Sequence, residues 1–227
     1  MVVLLVLVVG LGLPHLKSYK NRQASIYAAL GGKAATLQLA LKDYRIAEAL
    51  DPGDTNYGAQ VAVAQSKVYL EEGSDSSAIT AVQGVSTSNA RLQLAMSYMV
   101  AGQAASARKL SGGVGESQPQ LAGVLAGGLG LAQELYAQGL YRSTQRVLAT
   151  TSDSPGKYLL LAHALLAQSS NHNQVLTAQT ATQKGITLDP ASLPLHQLLE
   201  SIDTKLGDHA GAGQEQQLIN QLQAGNV

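Results

Sequence analysis

The phrase ALKDYRIAEALDP, running from Ala40 to Pro52, returns in altered form as AQTATQKGITLDP from Ala178 to Pro190. In both copies small residues keep the spacing of one helical face, and the phrase closes on Leu-Asp-Pro. Recurrence of a helical phrase constrains the fold more than any single residue does. A repeated unit cannot bury its apolar face alone and must stack on its neighbours, so the product is an array of helical hairpins. Such an array offers a surface to other chains more readily than an enclosed catalytic pocket.

The same small position recurs at Ala40, Ala78, Ala107, Thr144, Ala178 and Ala212, in steps of 38, 29, 37, 34 and 34 residues. Glycines fall between these positions at Gly73, Gly102, Gly139 and Gly207, in the phrases VYLEEGSDSSA, SYMVAGQAASA, LYAQGLYRST and IDTKLGDHAGA. Glycine at such a place supplies the left-handed residue that closes a helix. Tyr69 and Tyr98 occupy the same aromatic place in the first helices of two units, and Pro52, Pro119 and Pro190 sit where units join.

On these residues the chain resembles the tetratricopeptide repeat family over about residues 21–223, with six hairpins in register. The resemblance implies an all-α, right-handed superhelical solenoid of antiparallel helical hairpins. Helix pairs are expected at 21–31 with 33–50, 56–72 with 75–85, 88–101 with 103–111, 118–138 with 141–150, 155–168 with 172–188, and 192–206 with 208–223. Three places depart from the family pattern. The third unit is short and runs into Ser111–Gly115, the fifth has an enlarged turn at Ser169–Asn173, and the opening helix of the first unit matches poorly.

In this family the first helix of each hairpin lines a concave groove. Carried onto this sequence, the resemblance implies partner-binding positions at Val63, Lys67 and Leu70, at Leu92, Met96 and Met99, at Leu129, Gln133 and Tyr136, and at Leu159, His163 and Leu166. Some members clamp a partner's terminal carboxylate with Lys, Arg and Asn, but only Lys67 among these positions is basic. The expected groove is mostly apolar and suits an amphipathic or apolar helical segment, with Met96 and Met99 supplying adaptable packing. Packing between neighbouring repeats is the other use open to the same side chains.

The stretch from Leu121 to Ala132 is apolar nearly all round. Within one helix over 118–138, Gly123, Gly127 and Gly130 would form a smooth close-packing face. Each glycine costs a helix about 1 kcal/mol relative to alanine, a cost that close approach of a second helix can offset.

Residues 1–16 read as a separate anchor or assembly segment ahead of a repeat domain at 17–227. Val2, Val3, Leu4, Leu5, Val6, Leu7, Val8, Val9, Leu11 and Leu13 form an apolar run that ends at Pro14, followed by Lys17, Lys20 and Arg22. The run from Val2 to Leu13 has twelve residues, short of the roughly 20 that a spanning helix needs. It is expected to be the end of a membrane anchor, a processed N-terminus, or a segment packed on protein. The phrase MVVLLVLVVGLGLP resembles the N-terminal helix of type IV pilins over about 14 residues, although Leu5 stands where those proteins usually carry glutamate. A segment of this kind, seated on the next subunit, would propagate a filament because the contact does not close on itself.

Fifteen basic residues balance fifteen acidic ones, which argues against a nucleic-acid partner. The polar surface must be mostly Ser, Thr, Gln and Asn, since charged residues are 13% of the chain, and that composition points to an extracytoplasmic location. With no cysteine there are no disulfides or thiolate sites, and the five histidines show no ligand spacing, so neither metal nor cofactor is expected. Neither a phosphate-binding loop nor a nucleophile elbow occurs, and Glu71 and Glu72 are adjacent at a helix end rather than set for acid–base work. The chain therefore reads as a non-enzymatic interaction and assembly module, tethered to a membrane or complex by its N-terminus. Its partner is a helical or apolar protein segment, or, in the alternative of an extracellular filament, copies of itself.

Overall fold

A computed structural model of the chain describes residues 2–110, 119–169 and 171–225, with side chains from Leu16 onward. The side chains of Val2 to Leu13 and the Ser111–Gly115 stretch lie outside the described residues. Thirteen helices and no strand are found among the described residues. They fall into two compact units, residues 1–101 and 102–227.

The first unit contains α1 (Val2–Gly32), α2 (Leu37–Leu50), α3 (Thr55–Glu72), α4 (Asp75–Val82) and α5 (Ser88–Val100). Each helix packs on the next, and α3 also meets α5. The second contains α6 (Ala104–Lys109), α7 (Pro119–Ala126), α8 (Gly128–Ala137), α9 (Tyr141–Thr150), α10 (Pro155–Ala167), α11 (His172–Leu188), α12 (Leu193–Leu206) and α13 (His209–Gln223). Here too neighbours pack in order, with added contacts of α8 on α10 and of α10 on α12.

Local chemistry sets most boundaries. Side-chain oxygens of Thr36, Asp54, Thr87, Ser154 and Asn171 accept the first free N–H groups of α2, α3, α5, α10 and α11, which would otherwise lack partners. The four glycines expected to close first helices all take left-handed backbone, with φ of 80° at Gly73, 74° at Gly102, 74° at Gly139 and 80° at Gly207. An L-residue pays about 1–2 kcal/mol for that conformation. Of the recurrent small positions, Ala78, Ala107, Thr144 and Ala178 are fully buried, Ala212 nearly so and Ala40 half-buried. Thr144 fits its dry site because its hydroxyl donates to the Leu140 carbonyl at 2.8 Å.

Two expectations change. The first helix is longer than 21–31, because α1 runs without interruption from Val2 past Pro14 to Gly32. The single helix expected over 118–138 is two, broken at Gly127 (φ 70°, ψ −166°) and Gly128 (φ 52°). Two adjacent glycines reach such backbone without steric cost, whereas a continuous helix through them forfeits about 1 kcal/mol each. Gly123, Gly127 and Gly130 therefore do not share one helical face. Gly127 is the break, and Gly130 sits so tightly on α7 that a Cβ there would stand 2.7 Å from the Gly123 carbonyl oxygen. Close helix approach is satisfied within the chain.

Candidate interaction surface

The groove positions come from α3, α5, α8 and α10, and on each helix they follow i, i+4, i+7 spacing, which puts each triplet on one face. In the first unit that face is largely consumed by packing. Leu70 and Met96 are fully buried and Leu92 is 8% exposed, because α3 packs on α4 and α5 along it. These side chains are core residues. Val63, Lys67 and Met99 are half-buried and keep an accessible edge.

The second unit leaves more of its face open. Gln133 and His163 are exposed, and Leu129, Tyr136, Leu159 and Leu166 are half-buried. Tyr136 and His163 come together from α8 and α10, their rings 6.4 Å apart, and Tyr141 at the start of α9 tilts against Tyr136 at 5.4 Å. Leu159 and Leu166 rest on a core of Ala162, Ala178, Ala181, Leu198 and Ile202, which fixes the α10 face in place. Desolvation by the surrounding protein lowers the His163 pKa below the ordinary histidine value, so the imidazole favours its neutral form. Two aromatic rings, a neutral imidazole, an amide and leucine edges can bind an apolar or aromatic side chain and hydrogen-bond a polar one.

At the N-terminus of α10, Lys157 is 8% exposed and donates to the Thr151 carbonyl at 2.7 Å and to Asp153 Oδ1 at 2.8 Å. Hydrogen bonds from Lys157 and Tyr158 hold the Asp153 carboxyl below its usual range, and the same contact raises the Tyr158 phenol. This ties the loop before α10 to the helix and steadies the face that carries Leu159.

Other features gave no signal in sequence. A groove of about 630 Å³ runs along α2, lined by Leu41, Lys42, Arg45, Ile46, Ala49 and Leu50. Inside the first unit Ser66 donates to the Ala78 carbonyl at 2.8 Å and accepts from Gln93 Nε2 at 3.2 Å, while Ser97 Oγ lies 3.3 Å away. In the second, His196 bridges Glu215 and Pro190. The groove follows one helix, whereas the Ser66–Gln93 and His196–Glu215 contacts join residues far apart in sequence through helix packing, which single-sequence spacing does not reveal. Among the described residues no cluster of three or more His, Cys, Asp or Glu could hold a metal ion, and no helix is long and apolar enough to cross a membrane.

A scan against protein-family models finds no match, and a search of curated proteins finds none either.

Proposed function

We propose that this chain is a non-enzymatic protein-interaction and assembly module, a tetratricopeptide-like solenoid of helical hairpins tethered to a membrane or complex through its N-terminal segment, on the extracytoplasmic side. The observation that carries the reading is the face built by Tyr136, Gln133 and His163 with the edges of Leu129, Leu159 and Leu166, drawn from the first helices of adjacent hairpins. Burial of the recurrent small residues and left-handed backbone at the hairpin glycines support the repeat reading. An apolar or amphipathic helix matches this face, with anchors at three- and four-residue spacing filling the gaps between leucines and rings.

The test is crosslinking from a photoreactive residue at Gln133 in cells that make the protein, beside the same probe at the exposed Gln216 of α13. A partner captured from Gln133 and lost in Tyr136→Ala supports the reading. Equal capture from both sites, or none from Gln133, sinks it.

A second reading, an extracellular filament subunit, draws on α1. That helix has 31 residues against 14 in its hairpin partner α2, so much of it extends past the hairpin. Deleting residues 1–16 should abolish fibres seen by negative-stain microscopy and leave the helical circular dichroism intact. Fibres that persist without the segment remove this alternative.

A further inference from the structure

Along the described part of α1, Leu16, Tyr19, Ile26 and Leu30 are 58%, 62%, 45% and 50% exposed, although all four are large and apolar. With Gln23 between them they follow steps of 3, 4, 3 and 4 residues. That is the a/d spacing of a coiled-coil seam, with one polar residue at an a position, a device that fixes register in paired helices. The packed face of α1 lies about 100° round the helix from the seam: Ala24 is fully buried, and Gly31 lies so close to the Tyr44 ring of α2 that a Cβ would stand 2.8 Å from it. The seam therefore runs beside the packed face, and its four large side chains stay exposed.

Charge decides what can cover it. Exposed Lys20 and Arg22 take the e and g positions on the two sides of the seam, and α1 contains no Asp or Glu. Lys33 follows directly after the helix. Across the whole hairpin from Leu16 to Leu50 there are six basic residues, Lys17, Lys20, Arg22, Lys33, Lys42 and Arg45, and two acidic ones, Asp43 and Glu48. Lys42 and Arg45 line the α2 groove, so the basic character is shared by both helices.

We propose that the outward seam of α1 docks an acidic amphipathic helix from another polypeptide, one with apolar residues at a and d and Asp or Glu at e and g. Pairing at e and g selects partner and orientation in such assemblies. In a parallel pair of two copies Arg22 at g would meet the neutral Tyr27 at e of the next heptad, so self-pairing gains none of the ion pairs that an acidic partner supplies. An anionic bilayer would satisfy the charges, but a helix lying in a membrane interface presents a broad apolar face. Here the exposed apolar residues cover about 80° of the helix, about 100° with the half-buried Tyr27, before Lys20 or Arg22 is met on each side. The residues differ from those of the Tyr136 and His163 face, so failure of either surface leaves the other standing.

The experiment uses the full chain and three probes: a 21-residue helical peptide with Leu at a and d and Glu at e and g, the same peptide with Lys at e and g, and vesicles of phosphatidylglycerol with phosphatidylcholine. Fluorescence anisotropy at low and moderate salt should show the acidic peptide binding at least about tenfold more tightly than the basic one, less so as salt screens the pairs. The double variant Lys20→Glu with Arg22→Glu should invert the preference. Ile26→Ser with Leu30→Ser should abolish binding of either peptide, with circular dichroism reporting that both variants stay helical. Equal affinity for both peptides, or no binding of the acidic one, overturns the proposal. So does vesicle binding that the serine variant loses while the acidic peptide fails to bind, which would assign the seam to a membrane. A reversible dimer of the chain that the serine variant dissolves would assign it to a second copy and overturn the proposal equally.

Discussion

His196 Nδ1 lies 2.6 Å from Glu215 Oε2, and its Nε2 lies 2.9 Å from the Pro190 carbonyl oxygen. Both partners accept hydrogen bonds, so the ring satisfies both only as imidazolium. Burial opposes that charge, but the Glu215 carboxylate, the Pro190 carbonyl and the field of Glu215 and Asp189 outweigh it and raise the pKa above the ordinary histidine value. The link from α12 to α13 is thus fully in force below the unfolded-state pKa and is lost as pH rises through the higher folded value. Glu215→Gln should lower stability by about 1–2 kcal/mol in mildly acidic solution and by less above neutral pH. Urea denaturation at several pH values checks this, and a Glu215→Gln deficit independent of pH would refute the assignment.

His163 should titrate in the opposite sense. Desolvation lowers its pKa, so its contribution is present above the unfolded-state pKa and is lost as pH falls through the folded value. In one NMR titration the His196 ring resonance should move at higher pH than that of His163, and Tyr136→Ala, by admitting water, should bring His163 back toward the ordinary value.

The three glycines around the α7–α8 break should respond differently to alanine. At Gly123 an added Cβ meets nothing within 4 Å, so Gly123→Ala should be stabilising by about 0.5–1 kcal/mol. At Gly127, with φ 70° and ψ −166°, backbone that essentially only glycine adopts, alanine should cost about 1–3 kcal/mol. At Gly130 the Gly123 carbonyl stands in the way at 2.7 Å, and overpacking of about 1–3 kcal/mol should exceed the gain in helix propensity. Thermal melts of the three variants give the order directly, and equal melting temperatures would contradict the packing described.

The buried polar network of the first unit should show a similar asymmetry. Ser66→Ala removes the acceptor of Gln93 Nε2 and the donor to the Ala78 carbonyl, and should cost about 1–3 kcal/mol. Gln93 Oε1 is already buried without a hydrogen-bond partner. Gln93→Met, which keeps the volume and drops that atom, should fall within about 1 kcal/mol of the native chain. Denaturant midpoints of the two variants distinguish them.

Helix boundaries were legible because they rest on local chemistry. Asp54, Thr87 and Ser154 cap helices that begin within a residue of the expected starts at 56, 88 and 155, and Gly73 and Gly207 turn where a left-handed residue was needed. The Gly127 break was less legible, since an apolar helical run and a glycine hinge share the composition GVLAGGLG, and only the positive φ values tell them apart. At the candidate surface, i, i+4, i+7 spacing identified the face of each helix but not how much of it a neighbour would cover. Leu70 and Met96 read like Leu129 and Tyr136 in sequence, yet the first pair is enclosed and the second keeps an edge. The seam on α1 was hidden for another reason: Leu16 and Ile26 look like core residues until α2 is seen to pack on the neighbouring face of Ala24 and Gly31.

Within each unit, helices pack on partners one or two places away in the chain, and α13 packs chiefly on α12. Contacts so close in sequence need little loop closure before they form, which favours rapid folding. They also let terminal helices open before the rest of their unit. The bridge between His196 and Glu215 ties the last two helices together, so besides its share of overall stability it governs how often that terminus frays. Amide exchange along α13 should therefore quicken with alkalinity beyond the intrinsic chemical increase, while α8 and α10 keep to the intrinsic slope.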